Sequence, residues 1–159
     1  MRKIKCLISA FLSLCLIFSM TGCSIGGEIK DHVISGFNDL LQNFSQYALT
    51  KERDLKGNKT KGDDTYTGSY TAQYNDYNGK EFLFGGTGLE RKSGNELIVT
   101  YELTVDSGSA KLYWFDKDEE YIIAESDAND RYPITLTTGD NYLVFEGEGF
   151  TGSLQVTVK

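Results

Sequence analysis

Catalysis needs a nucleophile, a base or a metal cluster, and this 159-residue chain carries little material for any of them, with three Cys and one His. His32 sits beside Asp31, and nothing around it has the arrangement of a Ser-His-acid set, so a solvated histidine is its expected role. Zinc is usually held by several His or Cys, which these numbers do not supply. Acids are plentiful, with 23 Asp and Glu, and two groups stand out. Asp116, Asp118, Glu119 and Glu120 crowd one expected turn, and Asp127, Asn129 and Asp130 crowd the next loop. Close carboxylates are hard-oxygen ligands suited to calcium, so Asp116, Asp118, Asp127 and Asp130 are the candidate ligands, against the alternative of solvated turn acids. Their spacing does not follow an EF-hand, and no cofactor is required by the sequence. A carboxylate pair about 5–10 Å apart could hydrolyse glycosides, but nothing singles one pair out. Tyr74, Tyr77, Tyr113 and Trp114 are the candidates for stacking on sugar rings. Successive strand residues point to opposite faces, so Tyr113, Trp114 and Phe115 are not expected all to face inward, and at least one is expected to point out as part of a binding surface.

Cys23 is the thiol with a clear chemical setting. Arg2, Lys3 and Lys5 precede an apolar run from Cys6 to Ser19 of about 14 residues. A bilayer-spanning helix needs about 20, so the run reads as a secretory signal segment. It ends in Ser19-Met20-Thr21-Gly22-Cys23. That string resembles a bacterial lipobox, in which a small residue precedes the cysteine that takes a diacylglyceryl group. Met20 stands where Leu is commonest, and Gly22 suits the position before the cut. The resemblance implies cleavage between Gly22 and Cys23, lipidation of Cys23, and display on the extracytoplasmic face of a bacterial cell membrane. A thiolate is the side chain nucleophilic enough to take the lipid, and two or more acyl chains, palmitate-like in length, anchor where one binds marginally. Cys6 and Cys15 then leave with the signal peptide, so no thiol remains for a disulfide or a catalytic nucleophile. Loss of Arg2, Lys3 and Lys5 takes the formal net charge from −7 to −10. An acidic domain is a poor partner for nucleic acid, whose phosphates need a basic face.

These groups need elements to position them. Residues 1–22 read as the signal peptide and 23–27 as the lipidated cysteine with a short spacer. Residues 28–50 read as one amphipathic helix, since Ile29, Val33, Phe37, Leu40, Leu41, Phe44, Tyr47 and Ala48 recur at spacings of three and four. Its stripe is expected to dock on the following domain or lie in the membrane interface; a partner-binding helix is the alternative. Residues 51–65 are almost wholly polar and read as a solvated linker. From residue 66 to 159 the period changes to two. The chain has 17 Gly and one Pro, and ten Tyr and nine Phe, a balance that favours strands joined by tight turns. Alternation at Tyr66–Tyr74, Glu81–Phe84, Leu97–Val105, Ala110–Trp114, Tyr121–Ala124, Ile134–Leu136, Tyr142–Phe145 and Leu154–Val158 gives seven or eight short strands. Asn78-Gly79, Ser93-Gly94-Asn95, Asp106-Ser107-Gly108, Thr138-Gly139-Asp140-Asn141 and Thr151-Gly152-Ser153 read as turns between them. The expected class is mainly β, a jelly-roll-like antiparallel β-sandwich preceded by one helix.

The stretch Ser109-Ala110-Lys111-Leu112-Tyr113-Trp114-Phe115-Asp116, with Gly139-Asp140-Asn141-Tyr142-Leu143-Val144-Phe145-Glu146-Gly147 and the closing Thr151-Gly152-Ser153-Leu154-Gln155-Val156-Thr157-Val158, resembles the strands of bacterial pre-peptidase C-terminal domains. Lys111 departs from the family's acid at that position. The resemblance implies a non-catalytic sandwich. The preferred function is therefore a lipid-anchored, non-enzymatic envelope protein that binds an envelope protein or polysaccharide. A calcium-dependent carbohydrate-binding domain and a hydrolase stay open as alternatives.

Overall fold

A computed structural model describes residues 48–159, apart from 89, 90 and 118. The signal peptide, Cys23, the spacer, His32, the expected helix as far as residue 47, and Asp118 lie outside the described residues. The described residues all fall within one compact unit.

Six antiparallel strands form one sheet: β1 (Asn58–Lys61), β2 (Gly68–Gly88), β3 (Glu96–Asp116), β4 (Glu119–Ala124), β5 (Ala128–Thr135) and β6 (Gly139–Val158). Their order is β1-β2-β6-β3-β4, and β5 also pairs with β3. The first half of β3 takes β5 as neighbour, from Glu96 to Leu103, and its last part takes β4, from Leu112 to Asp116. β6 runs between β2 and β3 over nearly its whole length.

The sheet has six strands rather than seven or eight because three expected turns are bends inside continuous strands. Asn78-Gly79 lies within β2, Asp106-Ser107-Gly108 within β3, and Thr151-Gly152-Ser153 within β6. Register slips there, between Tyr74 and Gly79 on β2 and between Val105 and Ser109 on β3. An extra residue moves every later side chain to the other face of a sheet. Thus Leu97, Val99, Tyr101 and Leu103 point into the core at odd positions, whereas Ala110, Leu112 and Trp114 do so at even ones. β6 switches the other way, from Leu143 and Phe145 to Leu154, Val156 and Val158. Side chains from both halves of the three long strands meet in one cluster, so the sheet bends across its own core. Gly108 lies in this bend at φ 77°, and a Cβ there would stand 2.2 Å from the Gly149 carbonyl oxygen. Only glycine tolerates that approach.

A second, smaller cluster lies on the opposite face of the sheet, built from Tyr113 and Phe115 of β3 and Tyr142 and Val144 of β6, with Leu49 and Phe82 packed against it. This part of the sheet thus carries an apolar cluster on each side.

Two sequence boundaries move. The polar stretch 51–65 is not only a linker, since Asn58–Lys61 pairs with Gly68–Thr71 of β2. Lys, Asn and Thr suit a strand with no buried face, and edge pairing satisfies its backbone without needing apolar side chains. The helix expected through Thr50 does not reach it, for Ala48–Lys51 is irregular. Thr50 instead bonds to β2: its N–H donates to the Phe82 carbonyl at 3.1 Å, and its Oγ1 accepts from the Phe82 N–H at 2.9 Å. The open edge of β2 outcompetes a last helical turn, whose carbonyls would go unpaired.

Candidate functional site

The one buried acid among the described core residues is Glu81, 2 % exposed. Alternation along β2 places Tyr70 and Tyr74 on the core face, and the register slip after Tyr74 turns Glu81 to the same face. Glu81 Oε2 accepts from the Tyr74 hydroxyl at 2.6 Å and the Tyr70 hydroxyl at 2.9 Å, and Oε1 accepts from the Lys56 N–H at 2.6 Å. Tyr70 in turn accepts from the Gly57 N–H at 2.9 Å. The network ties residues 56 and 57 to the inside of β2. Burial, and then donation to Glu81, push the Tyr74 phenol far above its ordinary range; burial chiefly does the same for Tyr70. Both oxygens of Glu81 are occupied by protein donors. Its chemistry here is to satisfy buried donors, which would otherwise cost about 1–3 kcal/mol each.

The reverse face carries a charged row. Register sets Glu146 of β6 opposite both Lys80 of β2 and Lys111 of β3. The Lys80 ammonium is 3.1 Å from Glu146, and that of Lys111 is 2.5 Å from Glu120. Both ammoniums lie over the Tyr113 ring, at 5.4 and 4.6 Å from its centre. Burial opposes the charge of Lys80, but hydrogen bonds with Tyr113 and Glu146 outweigh it and hold the ammonium form above its usual range. For Lys111 the bond to Glu120 dominates and acts in the same direction. Beside this row opens a cleft of about 350 Å³ lined by Ser109, Lys111, Glu125, Glu146 and Glu148. It offers carboxylate acceptors, an ammonium and a hydroxyl at the bend of the sheet, suited to a polar, hydrogen-bonding ligand.

A second cleft, about 410 Å³, lies where β1 meets the chain end, with Thr60, Lys61, Asp63, Ser69, Arg91 and Thr157 in its wall. Its cations are largely engaged. Arg91 Nε and Nη2 both reach Asp64 Oδ2 at 2.7 Å, Nη1 donates to the Gly94 carbonyl, and Lys61 is 2.8 Å from Glu52.

The structure does not assemble the residues singled out from sequence. Tyr74, Tyr77, Tyr113 and Trp114 are 5, 9, 2 and 3 % exposed, so none offers a ring face to a sugar. Tyr74 and Tyr77 pack with Phe145, and Tyr74 also with Phe150, in the core. Tyr113 and Trp114 do point to opposite faces, as alternation requires, but both faces are buried. The Trp114 indole N–H is buried without a hydrogen-bond partner. The candidate calcium ligands are separated by strand geometry. Asp116 ends β3 opposite Asn141 and accepts from Thr137 Oγ1 at 2.5 Å. Asp127 accepts from the Val105 N–H at 2.6 Å, and Asp130 pairs across from Tyr101, far back along β3. β4 lies between the two acidic loops, and its six residues span about 20 Å. Among the described residues no group of three His, Cys, Asp or Glu could hold a metal ion.

Glu81 was the residue the sequence argument missed. Its signal was phase: it stands two residues before Leu83 in an apolar strand, a position that faces inward. No protein-family model matches this chain, and no curated protein matches it.

Proposed function

We propose that this is a lipid-anchored protein of the extracytoplasmic face of a bacterial cell membrane whose β-domain is a non-catalytic interaction module. The tether rests on Gly22-Cys23 behind the short apolar run and its basic start. The module, read more finely, is a jelly-roll-like sandwich made by the two halves of the bent sheet. The observation that carries the non-catalytic reading is the bonding of Glu81, whose two oxygens are committed to Tyr70, Tyr74 and Lys56. The ligand favoured by the cleft at Lys111, Glu125, Glu146 and Glu148 is a polar envelope component, a polysaccharide or a protein segment carrying hydroxyl or amine donors. Such donors meet carboxylate acceptors in charge-assisted bonds.

The test has two arms. Cys23→Ala is expected to move the protein from the membrane to the soluble fraction, and retention would remove the tether. Glu146→Gln with Glu148→Gln is expected to weaken co-sedimentation with purified cell-wall polysaccharide at least tenfold. Equal sedimentation of variant and parent would remove the cleft as the ligand site.

A further inference from the structure

We propose that residues 37–47 of this same chain seat on the second apolar face of the sheet, across Phe82, Val144, Tyr113 and Ile122. Those four side chains form one row over four strands, since Phe82 pairs with Val144, Val144 with Tyr113, and Tyr113 with Ile122. Tyr142 and Phe115 form the row beside it. Exposure along the row runs from 0 % at Val144 and 2 % at Tyr113 to 43 % at Ile122 on the outermost strand. The Lys80 and Lys111 ammoniums lie over the Tyr113 ring at the centre, and the face opens towards β4.

The occupant is set by how the chain arrives. Thr50 is bonded through its N–H and its Oγ1 to Phe82, the first residue of the row, and Leu49 already packs on the cluster. Immediately upstream in the sequence stand residues 37–47. They carry Phe37, Leu40, Leu41, Phe44 and Tyr47 at spacings of three and four, with Asn38, Asp39, Gln42, Asn43 and Gln46 between. The lengths agree. Eleven residues of helix span about 16 Å, and four strands cover about 14 Å from first to last. An apolar stripe of that length laid across the row buries its own residues and the aromatic face together.

Side-chain oxidation by hydroxyl radicals, read by mass spectrometry on the full chain in neutral lipid vesicles, tests this. In the parent chain Tyr113 and Tyr142 are expected to react as slowly as Tyr70 in the main core. In Leu41→Asp with Phe44→Asp, they are expected to react at least fivefold faster while Tyr70 and Tyr74 stay protected. Asp39→Asn with Gln42→Glu, on the polar side of the stripe, leaves all four protected. Should the acidic double variant expose Tyr70 as well, the sheet has unfolded and the milder Phe44→Ala decides. Selective exposure of Tyr113 and Tyr142 then supports the proposal, and continued protection overturns it. Protection that survives the stripe variants but falls on dilution assigns the face to a second copy. Protection that survives them and falls on extraction from vesicles assigns it to lipid. Both results overturn the proposal.

Discussion

Replacing Glu81 by Gln leaves volume and shape nearly unchanged but alters what the site can accept. The parent side chain accepts three bonds, from Tyr70, Tyr74 and the Lys56 N–H. An amide keeps one acceptor oxygen. If that oxygen stays with the two phenols, the new NH₂ faces the Lys56 N–H, donor against donor. If it turns to Lys56, both phenols lose a charged acceptor. A hydrogen bond to a charged group is worth about 1.5–3 kcal/mol, and a stranded buried donor costs about 1–3. Tyr70 and Tyr74 stand 3.2 Å apart and can bond to each other, which recovers part of the loss. The expected net cost is about 2–3 kcal/mol. For a domain of this size that is roughly a 10 °C fall in Tm. Urea titration followed by Trp114 fluorescence measures it. A fall smaller than about 1 kcal/mol would mean the three bonds are replaced by water at no cost, and the network would then not hold residues 56 and 57 to the sheet. Tyr74→Phe gives a cross-check. It removes the shorter phenol bond, and combined with Glu81→Gln it is expected to cost less than the sum of the two.

Alkali is expected to unfold the domain through its tyrosines. Burial raises the Tyr66 and Tyr77 phenols from about 10 to about 12, and Tyr70 and Tyr74 shift in the same direction. Above pH 10 the unfolded chain releases these protons while the folded one keeps them, so this stability is complete below pH 10 and lost as pH rises towards 12 and beyond. The loss approaches about 1.4 kcal/mol per tyrosine per pH unit. Phenolate absorbance should rise in one steep step that coincides with loss of the β signal in circular dichroism; separate shallow titrations would contradict it. Gly108→Ala is expected to cost more than about 2 kcal/mol, because φ 77° is unfavourable for an L side chain and the new Cβ meets the Gly149 carbonyl. A variant of near-parent Tm would show that the bend in β3 relaxes freely.

The sequence by itself determined the alternation. Leu97, Val99, Tyr101 and Leu103 lie on the core face that their spacing predicts, and so do Ala110, Leu112 and Trp114. It also marked a true turn at Ser93-Gly94-Asn95 between β2 and β3. Both are local properties, fixed by a period of two and by glycine's range of φ. Tertiary structure decided the rest. Asp106-Ser107-Gly108 carries turn chemistry, yet β6 pairs on either side of it, so it bends a strand instead of ending one. A polar segment, Asn58–Lys61, became a strand because β2 had an open edge. Tyr113 reads as a candidate platform because alternation turns it away from Trp114; only the assembled sheet reveals a second apolar cluster on that side. Asp116 and Asp130 look adjacent in acidic loops, but the loops sit at opposite ends of β4. Glu81 carries the same point furthest. The three residues that follow it are apolar, and its partners, Tyr70, Tyr74 and Lys56, arrive from 7 to 25 residues away. A buried carboxylate is tolerable only once such donors converge, and no local pattern records that convergence.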